Sequence, residues 1–497
     1  MKKDILLKLY YFRLTFFIKK NKIPPKLVLF KQKQTLFFMK KIYFTFLLLA
    51  SSSFLFAQDS EVDQDLIFDD HVYVDYIESV KLHIPGVVVS YPIINLGRGS
   101  LTLTFDDLEG DSRDYIYSIV HCDADWTPSD LSEMEYVGGF NEERIPAGEF
   151  SFNTLTNYTN YSVTFPNEDI RITKSGNYLL KVYDDEDDRF LVLTRRFMVV
   201  EPSFSVRGVA FPSSVVSKNR THQEIDFSVV HKGIDINNPR KEVKVTVLQN
   251  GRWDTAIENI PPQYIKGVEI KYEFNDRIVF PASKEFRYVD LRTLQYRTDQ
   301  VRGIEEYKDG YDVTLYMDKV RAYSVYQDLR DINGGFVIGN IDNNDGVNVS
   351  FSDTDSEEAR ANKLAALRRQ MNLYAESNNL ESDYANVLFS LEMNEPFYDK
   401  DVYIFGGLTD WKVKEHFKMT YQDVVNAYVA DVFLKQGFYN YMYVTVPKKG
   451  AKVPDMEELE GNWFETENDY TILVYFRPFG ERYDRLMAAY TIDSSRR

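Results

Sequence analysis

Residues 178–200 read YLLKVYDDEDDRFLVLTRRFMVV, and this stretch decides the fold class. Residues 178–183 and 191–200 are rich in Tyr, Leu, Val and Phe, which suit the pleated, half-buried surface of a strand. The five acidic residues 184–188 lie between the two runs, and such an acidic run is typical of a polar turn. The stretch therefore predicts a β-hairpin.

The same alternation with a period of two recurs along most of the chain, which is the signature of strands. Residues 249–252 contain Asn-Gly between two apolar runs, a strong hairpin signal. Short strands joined by polar turns favour β-sandwiches. Further predicted strands are residues 87–91, 101–105, 115–120, 161–165, 225–230, 243–248, 286–290, 311–317, 336–339, 386–391, 401–407, 434–444 and 470–476.

One polar region breaks the pattern of strands between residues 342 and 383. Within it Leu364, Leu367, Met371 and Tyr374 recur at steps of three and four, which predicts an amphipathic helix over residues 355–374. The predicted fold class is therefore all-β, with three tandem immunoglobulin-like β-sandwich domains and one helical insertion before the last. The predicted units are residues 58–202, 203–340, 341–385 (the linker with the helix) and 386–497.

The N-terminal region has the features of a secretory signal peptide at residues 39–57. A basic start at Met39 precedes an apolar run, and Ala57 is the predicted last residue before cleavage. Residues 1–38 lack a clear pattern, and we interpret them as an over-extended start. The alternative is a cytoplasmic tail on a membrane anchor. No Cys stands directly after the apolar run to carry a lipid, so the sequence predicts a protein without a direct membrane anchor.

The charge of the chain excludes some partners. The first 57 residues carry eleven Lys, one Arg and one Asp, a net charge of +11, which leaves −28 for the rest out of a total of −17. Such an acidic protein repels nucleic acid and anionic membranes. It suits a basic protein partner, a cation or simple solubility. The single cysteine, Cys122, rules out a disulfide within the chain.

The loop of residues 123–130, DADWTPSD, is the most suggestive local motif. Its residues Asp123, Asp125 and Trp126 are candidate contacts for a partner or a cation. The alternative is a turn or helix start that places Trp126 in the core. The preceding pair His121-Cys122 is not predicted to be catalytic, because adjacent strand residues point to opposite faces.

Motifs for the common enzyme classes are missing from the sequence, so we predict that the protein is not an enzyme. It has no Gly-x-Ser-x-Gly, no Walker loop, no Gly-x-Gly-x-x-Gly and no His pair at a metal-ligand spacing. No cofactor, metal or catalytic residue is therefore predicted. A pair of carboxylates acting on a glycoside remains an open alternative, because many Asp and Glu are present.

Residues 402–411 (VYIFGGLTDW) and 437–441 (GFYNY) resemble a glycogen- or starch-binding immunoglobulin-like module. In such modules a Trp stacks on a sugar, which makes Trp411 a candidate sugar contact. This resemblance specifies a fold more than a ligand. It supplies the alternative function, a periplasmic carbohydrate-binding protein.

Seven segments together resemble the plug protein of the type IX secretion system of Bacteroidota. They are residues 121–130 (HCDADWTPSD), 165–169 (FPNED), 175–183 (SGNYLLKVY), 193–202 (LTRRFMVVEP), 221–227 (THQEIDF), 249–254 (QNGRWD) and 465–470 (ETENDY). The resemblance implies a protein of the periplasm that binds and closes the inner mouth of an outer-membrane β-barrel translocon when no substrate is in transit. Such a binding face needs aromatic anchors, so Trp253 joins Trp126 as a candidate partner contact.

Overall fold

The structure is a computed structural model, which describes residues 66–185, 189–329, 331–342 and 379–495. The predicted signal peptide at residues 39–57, the preceding residues 1–38 and the predicted helix at residues 355–374 lie outside the described residues. Residues 67–495 belong to one compact unit. The described part of the chain is nearly all β, which confirms the predicted class.

The strands follow one another along the chain with few helices. Those of the first part are β1 (His71–Val72), β2 (Ile77–His83), β3 (Ile93–Asn95), β4 (Leu101–Asp107), β5 (Tyr115–Cys122), β6 (Val137–Gly139), β7 (Glu143–Arg144), β8 (Glu149–Phe150), β9 (Thr159–Phe165), β10 (Ile170–Ile172), β11 (Gly176–Asp184) and β12 (Leu191–Val200). Those of the middle part are β13 (Ser205–Pro212), β14 (His222–Val230), β15 (Val243–Gln249), β16 (Arg252–Ile257), β17 (Tyr264–Lys266), β18 (Glu269–Tyr272) and β19 (Val279–Pro281).

The remaining strands lie after residue 286. They are β20 (Arg287–Asp290), β21 (Val301–Tyr307), β22 (Gly310–Leu315), β23 (Asp318–Lys319), β24 (Phe336–Ile338), β25 (Tyr384–Glu392), β26 (Lys400–Phe405), β27 (Lys418–Gln422), β28 (Ala427–Lys435), β29 (Gly437–Pro447), β30 (Asp469–Phe476) and β31 (Arg485–Asp493). The described helices are short: α1 (Glu133–Tyr136), α2 (Pro239–Glu242) and the 3-10 turns Asn379–Glu381, Gly407–Thr409 and Glu415–Phe417.

The first core lies between two sheets. One sheet has the order β1-β12-β11-β5-β7, with β3 paired in parallel to β12, and the other has the order β2-β4-β9-β8. Residues 178–183 and 191–200 form the antiparallel pair β11–β12, as the opening motif predicts. Large aromatic side chains such as Phe105, Tyr161 and Phe197 fill the space between the sheets.

The second core combines strands β13 to β19 with the last two strands of the chain, β30 and β31. One sheet has the order β13-β14-β18-β17, and the other has the order β16-β15-β30-β31. Val243 to Gln249 pair with Phe476 to Tyr470, so the last two strands complete the middle sandwich. This corrects the predicted boundary of the last unit at residues 386–497, because β30 and β31 leave that unit and return to the middle one.

The third core is therefore inserted between β19 and β30. Its sheet has the order β20-β29-β26-β27-β28-β25-β22-β21. Strands from both ends of this order contribute side chains to one core, so the sheet curls around that core. The predicted strand at residues 434–444 is two strands, β28 and β29. The chain turns at Gln436 between them, and at the next residue, Gly437, a Cβ would lie 2.5 Å from the carbonyl oxygen of Val337.

Another prediction fails at residues 87–91, which form a turn rather than a strand. Val87 makes a single bridge to Ile84, and Val88 is buried against Val337 of the third core. A short apolar segment that packs between two cores has the same composition as a buried strand. Composition therefore could not distinguish this turn from a strand. The count of three immunoglobulin-like domains stays a prediction.

Candidate functional site

The predicted contact residue Trp126 lies inside the protein, as the alternative interpretation of its loop expects. Its side chain is 4% exposed. Its ring meets that of Trp253 edge to face, with 5.0 Å between the ring centroids. The guanidinium of Arg196 lies 4.4 Å from the centroid of Trp126 and 5.7 Å from that of Trp253, within cation–π range. Because Trp253 belongs to β16, this cluster joins the first core to the middle one.

Asp123 lies beside this cluster in a network of ion pairs. Its carboxylate is 2.5 Å from Arg477, and it accepts a hydrogen bond from the amide of Asp484 at 3.1 Å. The buried carboxylate of Asp484 pairs in turn with Lys244 and Arg477, at 2.9 Å each. Burial raises the pKa of Asp123. The network fixes the loop of the first core to β15 and to the connection between β30 and β31 of the middle core.

Asp125 is the exposed member of the predicted set. Its carboxylate accepts hydrogen bonds from the hydroxyl of Thr127 at 2.6 Å and from its amide at 3.1 Å. Partial burial works to raise the pKa of Asp125, but these two hydrogen bonds outweigh it and hold the pKa below its usual value. Asp125 thus stabilises its own turn. The structure brings Trp126 and Trp253 together, whereas Asp123 and Asp125 have separate partners.

His121 is buried next to this loop. Its Nε2 lies 3.1 Å from the carbonyl oxygen of Ser175, which can only accept, so Nε2 carries the proton. Its Nδ1 then accepts from the hydroxyl of Ser129 at 2.8 Å. Cys122 is buried as well, and burial raises the pKa of its thiol to about 12. The two side chains have different partners, which is consistent with the predicted absence of a catalytic pair.

Protonation of His121 should destabilise the protein in acid. Burial lowers the pKa of His121 to about 4, below the value of about 6.5 in an unfolded chain. A lowered pKa means that the stabilising contribution is full above pH 6.5 and is lost as the pH falls toward 4. We expect a loss of about 3 kcal/mol at pH 4 from this group. His121→Gln should remove that part of the pH dependence, measured by urea unfolding from pH 8 to 4. Identical pH slopes in wild type and variant contradict the assignment.

A second joint connects the first core to the third through buried charges. Lys435 of β28 and Asp106 of β4 are both fully buried, with 2.6 Å between the ammonium nitrogen and the carboxylate oxygen. The hydroxyl of Tyr384 donates to the same carboxylate at 2.7 Å, and the amide of Asn160 donates to its other oxygen at 2.7 Å. Lys435 also lies 4.0 Å from the ring centroid of Tyr158. Burial lowers the pKa of Lys435 against the opposing effect of Asp106.

Backbone contacts extend this second joint. The carboxylate of Asp383, at the start of the third core's β25, accepts from the amides of Leu155 and Thr156 at 2.5 and 3.0 Å. The hydroxyl of Tyr158 donates to the carbonyl oxygen of Ser382 at 2.9 Å. The two cores are thus held together by several buried polar groups that find a partner in the other core.

A third joint contains the predicted sugar contact Trp411. The ring of Trp411 is half-buried and packs against Phe286 and Phe405, with centroids 5.7 and 5.6 Å apart. The guanidinium of Arg252, from the middle core, lies 4.6 Å from its centroid. This packing argues against Trp411 as a platform for a sugar, and it gives the residue a role in joining the middle and third cores.

An open cleft of about 840 Å³ lies between the first and third cores. Two of its lining lysines form salt bridges: Lys412 with Asp69 at 2.9 Å, and Lys414 with Asp410 at 2.8 Å. These lysines are therefore already paired within the protein. Within the described ranges, no group of three or more His, Cys, Asp or Glu is placed to hold a metal ion. None of the described helices is long and apolar enough to span a membrane.

Sequence reasoning missed most residues of these joints. Arg196, Asp484, Asp106 and Lys435 were not singled out, because a charged residue in an alternating strand normally faces water. Asp106 and Lys435 follow Phe105 and Leu434, which face the cores, so the alternation predicts that they point outward. They do point outward, but the outer face of each sheet is covered by the other core.

Comparisons with known proteins agree with this architecture. Residues 77–201 match a family model described as the first domain of the type 9 secretion system plug protein. This range runs from β2 to the end of β12 and coincides with the first core. A crystal structure described as that of a hypothetical protein from Parabacteroides merdae ATCC 43184 is similar over 86% of this chain and 100% of that one, with 32% identity and a TM-score of 0.74. None of the curated proteins matches the chain.

Proposed function

Because this chain belongs to the type IX secretion system plug protein family, we propose that it binds the periplasmic mouth of the outer-membrane translocon barrel and occludes it when the barrel is idle. The family match over residues 77–201 is the observation that carries the proposal. The family is that of a secretion-system plug and not a known class of enzyme.

The three joints support an occluding role on physical grounds. A plug must keep its shape against a wide aqueous opening, so its parts must not move independently. Here the first core is held to the middle one by the Trp126–Trp253–Arg196 cluster and to the third by Lys435 and Asp106. Separating the cores would break the Lys435–Asp106 pair and open the contact between Trp126 and Trp253 to water. The body is therefore suited to block an opening as one rigid piece.

The proposed location is the periplasm. The signal peptide predicted at residues 39–57 directs the chain out of the cytoplasm, and the inner mouth of an outer-membrane barrel faces the periplasm. A strongly acidic exported protein also stays dispersed at high concentration.

Recovery from the cell envelope tests the proposal. The full chain carrying an affinity tag should recover a large outer-membrane β-barrel protein from detergent-solubilised envelopes of a Bacteroidota cell, identified by mass spectrometry as the type IX translocon. An unrelated acidic periplasmic protein with the same tag is the control. Failure to recover that barrel above the control, in several mild detergents, contradicts the proposal.

A further inference from the structure

Two apolar side chains on the surface of the third core are almost fully exposed and lie two residues apart in one loop. Tyr323 is 98% exposed and Val325 is 90% exposed, in a loop that follows β23. We call residues 321–326 the display loop. Exposure of this degree costs hydrophobic free energy that burial would recover, so a loop that holds two such side chains in water is a candidate contact surface.

Hydrogen bonds from Lys284 fix the backbone of the display loop. The ammonium of Lys284, which is buried, donates to the carbonyl oxygens of Arg321 at 2.6 Å, Ser324 at 2.9 Å and Ala322 at 3.4 Å. Gly461 passes so close that a Cβ there would lie 2.7 Å from the carbonyl oxygen of Ala322. Three carbonyls thus converge on one cation, which fixes the backbone on both sides of Tyr323.

Arg321 and Tyr326 anchor the two ends of the loop. The guanidinium of Arg321 donates to the buried carboxylate of Glu460 at 2.7 Å and to the carbonyl oxygen of Glu285 at 2.8 Å. The hydroxyl of Tyr326 donates to the carboxylate of Glu285 at 2.5 Å. The outward direction of Tyr323 and Val325 is therefore set by a network and is not a consequence of a loose segment.

An aromatic row continues from the loop onto the middle core. The ring of Tyr326 stacks on Trp463, with 5.8 Å between centroids and 17° between planes, and Trp463 lies 5.4 Å from Phe464. The amide of Phe464 donates to the carbonyl oxygen of Arg220 at 3.2 Å. These contacts lead from the display loop to the segment that carries Arg220.

The far end of this surface carries positive charge. Lys218 and Arg220 are exposed, and neither pairs with an acidic residue in the part of the chain that the structure describes. Val216, which is also exposed, precedes them. Two unpaired basic side chains beside an apolar surface, in a chain with a net charge of −17, fit a partner that carries carboxylates.

We propose that Tyr323 and Val325 are the anchor of the surface that docks on the translocon, with Lys218 and Arg220 as its basic flank. This inference rests on the proposed function. The partner's complementary surface is an apolar depression flanked by acidic side chains at the periplasmic rim of the barrel. Because the display loop is already fixed, binding does not cost the ordering of that loop, which is the property of an efficient contact surface. Aromatic anchors of this kind dominate the binding energy of many interfaces.

Paired variants test this docking surface. The double variant Tyr323→Ser and Val325→Ser, made in the tagged full chain, should recover the translocon at least about tenfold less well from solubilised envelopes. The matched control is Val424→Ser and Phe479→Ser, which alters two side chains that are 95% and 98% exposed elsewhere. Both variants should melt at the temperature of the wild type, because all four side chains are in water.

A photoreactive phenylalanine analogue at position 323, with position 479 as the control, identifies the neighbour directly. Cross-linking of position 323 to the translocon barrel supports the inference. In the recovery experiment, the double variant Lys218→Glu and Arg220→Glu should recover less barrel than the wild type, and the difference should be largest at low salt. If wild-type protein recovers the barrel and the Tyr323 and Val325 variant does so equally well, the inference is wrong while the proposed function stands. Cross-links only to a second copy of this chain or to lipid also overturn it. If wild-type protein recovers no barrel, the proposed function itself fails.

Discussion

Lys435→Met is expected to lower the free energy of unfolding by about 3–5 kcal/mol, the largest effect of any single substitution considered for this protein. The methionine fills a similar volume, but it leaves the carboxylate of Asp106 buried without its cation. The hydrogen bonds from Tyr384 and Asn160 remain, and they do not neutralise the charge. The carboxylate must then take up a proton or separate the two cores to reach water.

Chemical denaturation of the wild type, Lys435→Met and two controls checks this. Lys418→Met removes the cation of a surface pair, 3.1 Å from Asp401, and should cost no more than about 1 kcal/mol. The double variant Lys435→Met and Asp106→Asn removes both charges and should regain a large part of the loss. A loss below 1 kcal/mol for Lys435→Met alone contradicts a buried ionic joint between the first and third cores.

Removal of residues 464–497 is expected to unfold the middle core. Strands β30 and β31 supply Tyr470, Ile472, Val474 and Met487 to that core, and they make up half of one of its two sheets. Without them β15 loses its central partner, and the apolar face of the other sheet is left open to water. Such a loss far exceeds the marginal stability of a domain of this size.

Limited proteolysis with mass spectrometry distinguishes this topology from a tandem arrangement. The truncated protein should be cleaved rapidly within residues 204–280, whereas the first core stays protected. Tyr490→Ser, which changes an exposed side chain of β31, should leave the protection of residues 204–280 unchanged. If the truncated protein keeps residues 204–280 protected, the pairing of β15 with β30 is wrong.

Strands were predictable from this sequence, but their sheets were not. Alternation and a strand-favouring apolar composition identified residues 178–183, 191–200 and 243–248, although the structure buries most of their side chains on both faces of the sheet. The same alternation says nothing about which sheet a strand joins. The pairing of β30 with β15 spans more than two hundred residues, and no local signal in residues 470–476 distinguishes it from pairing with β29.

The environment of the candidate residues was also set by contacts between segments that are far apart in the sequence. The loop of residues 123–130 was singled out for its Trp and acidic residues, and both of its possible structures were open. Trp126 is buried because a second core covers it, and its partner Trp253 lies 127 positions along the chain. The sequence does not distinguish Tyr323 as a contact residue, since a single Tyr among polar residues also occurs at the ends of many strands. Its significance depends on the three carbonyls that Lys284 holds beneath it.

Electrical recording from the purified translocon barrel in a planar bilayer tests the central claim most directly. Addition of the signal-peptide-free protein to the periplasmic side should close the open barrel and abolish most of its ion conductance, in proportion to the protein added. Addition to the opposite side should have no effect. An open barrel whose conductance is unchanged by the protein on the periplasmic side, although the two proteins bind each other, contradicts the account.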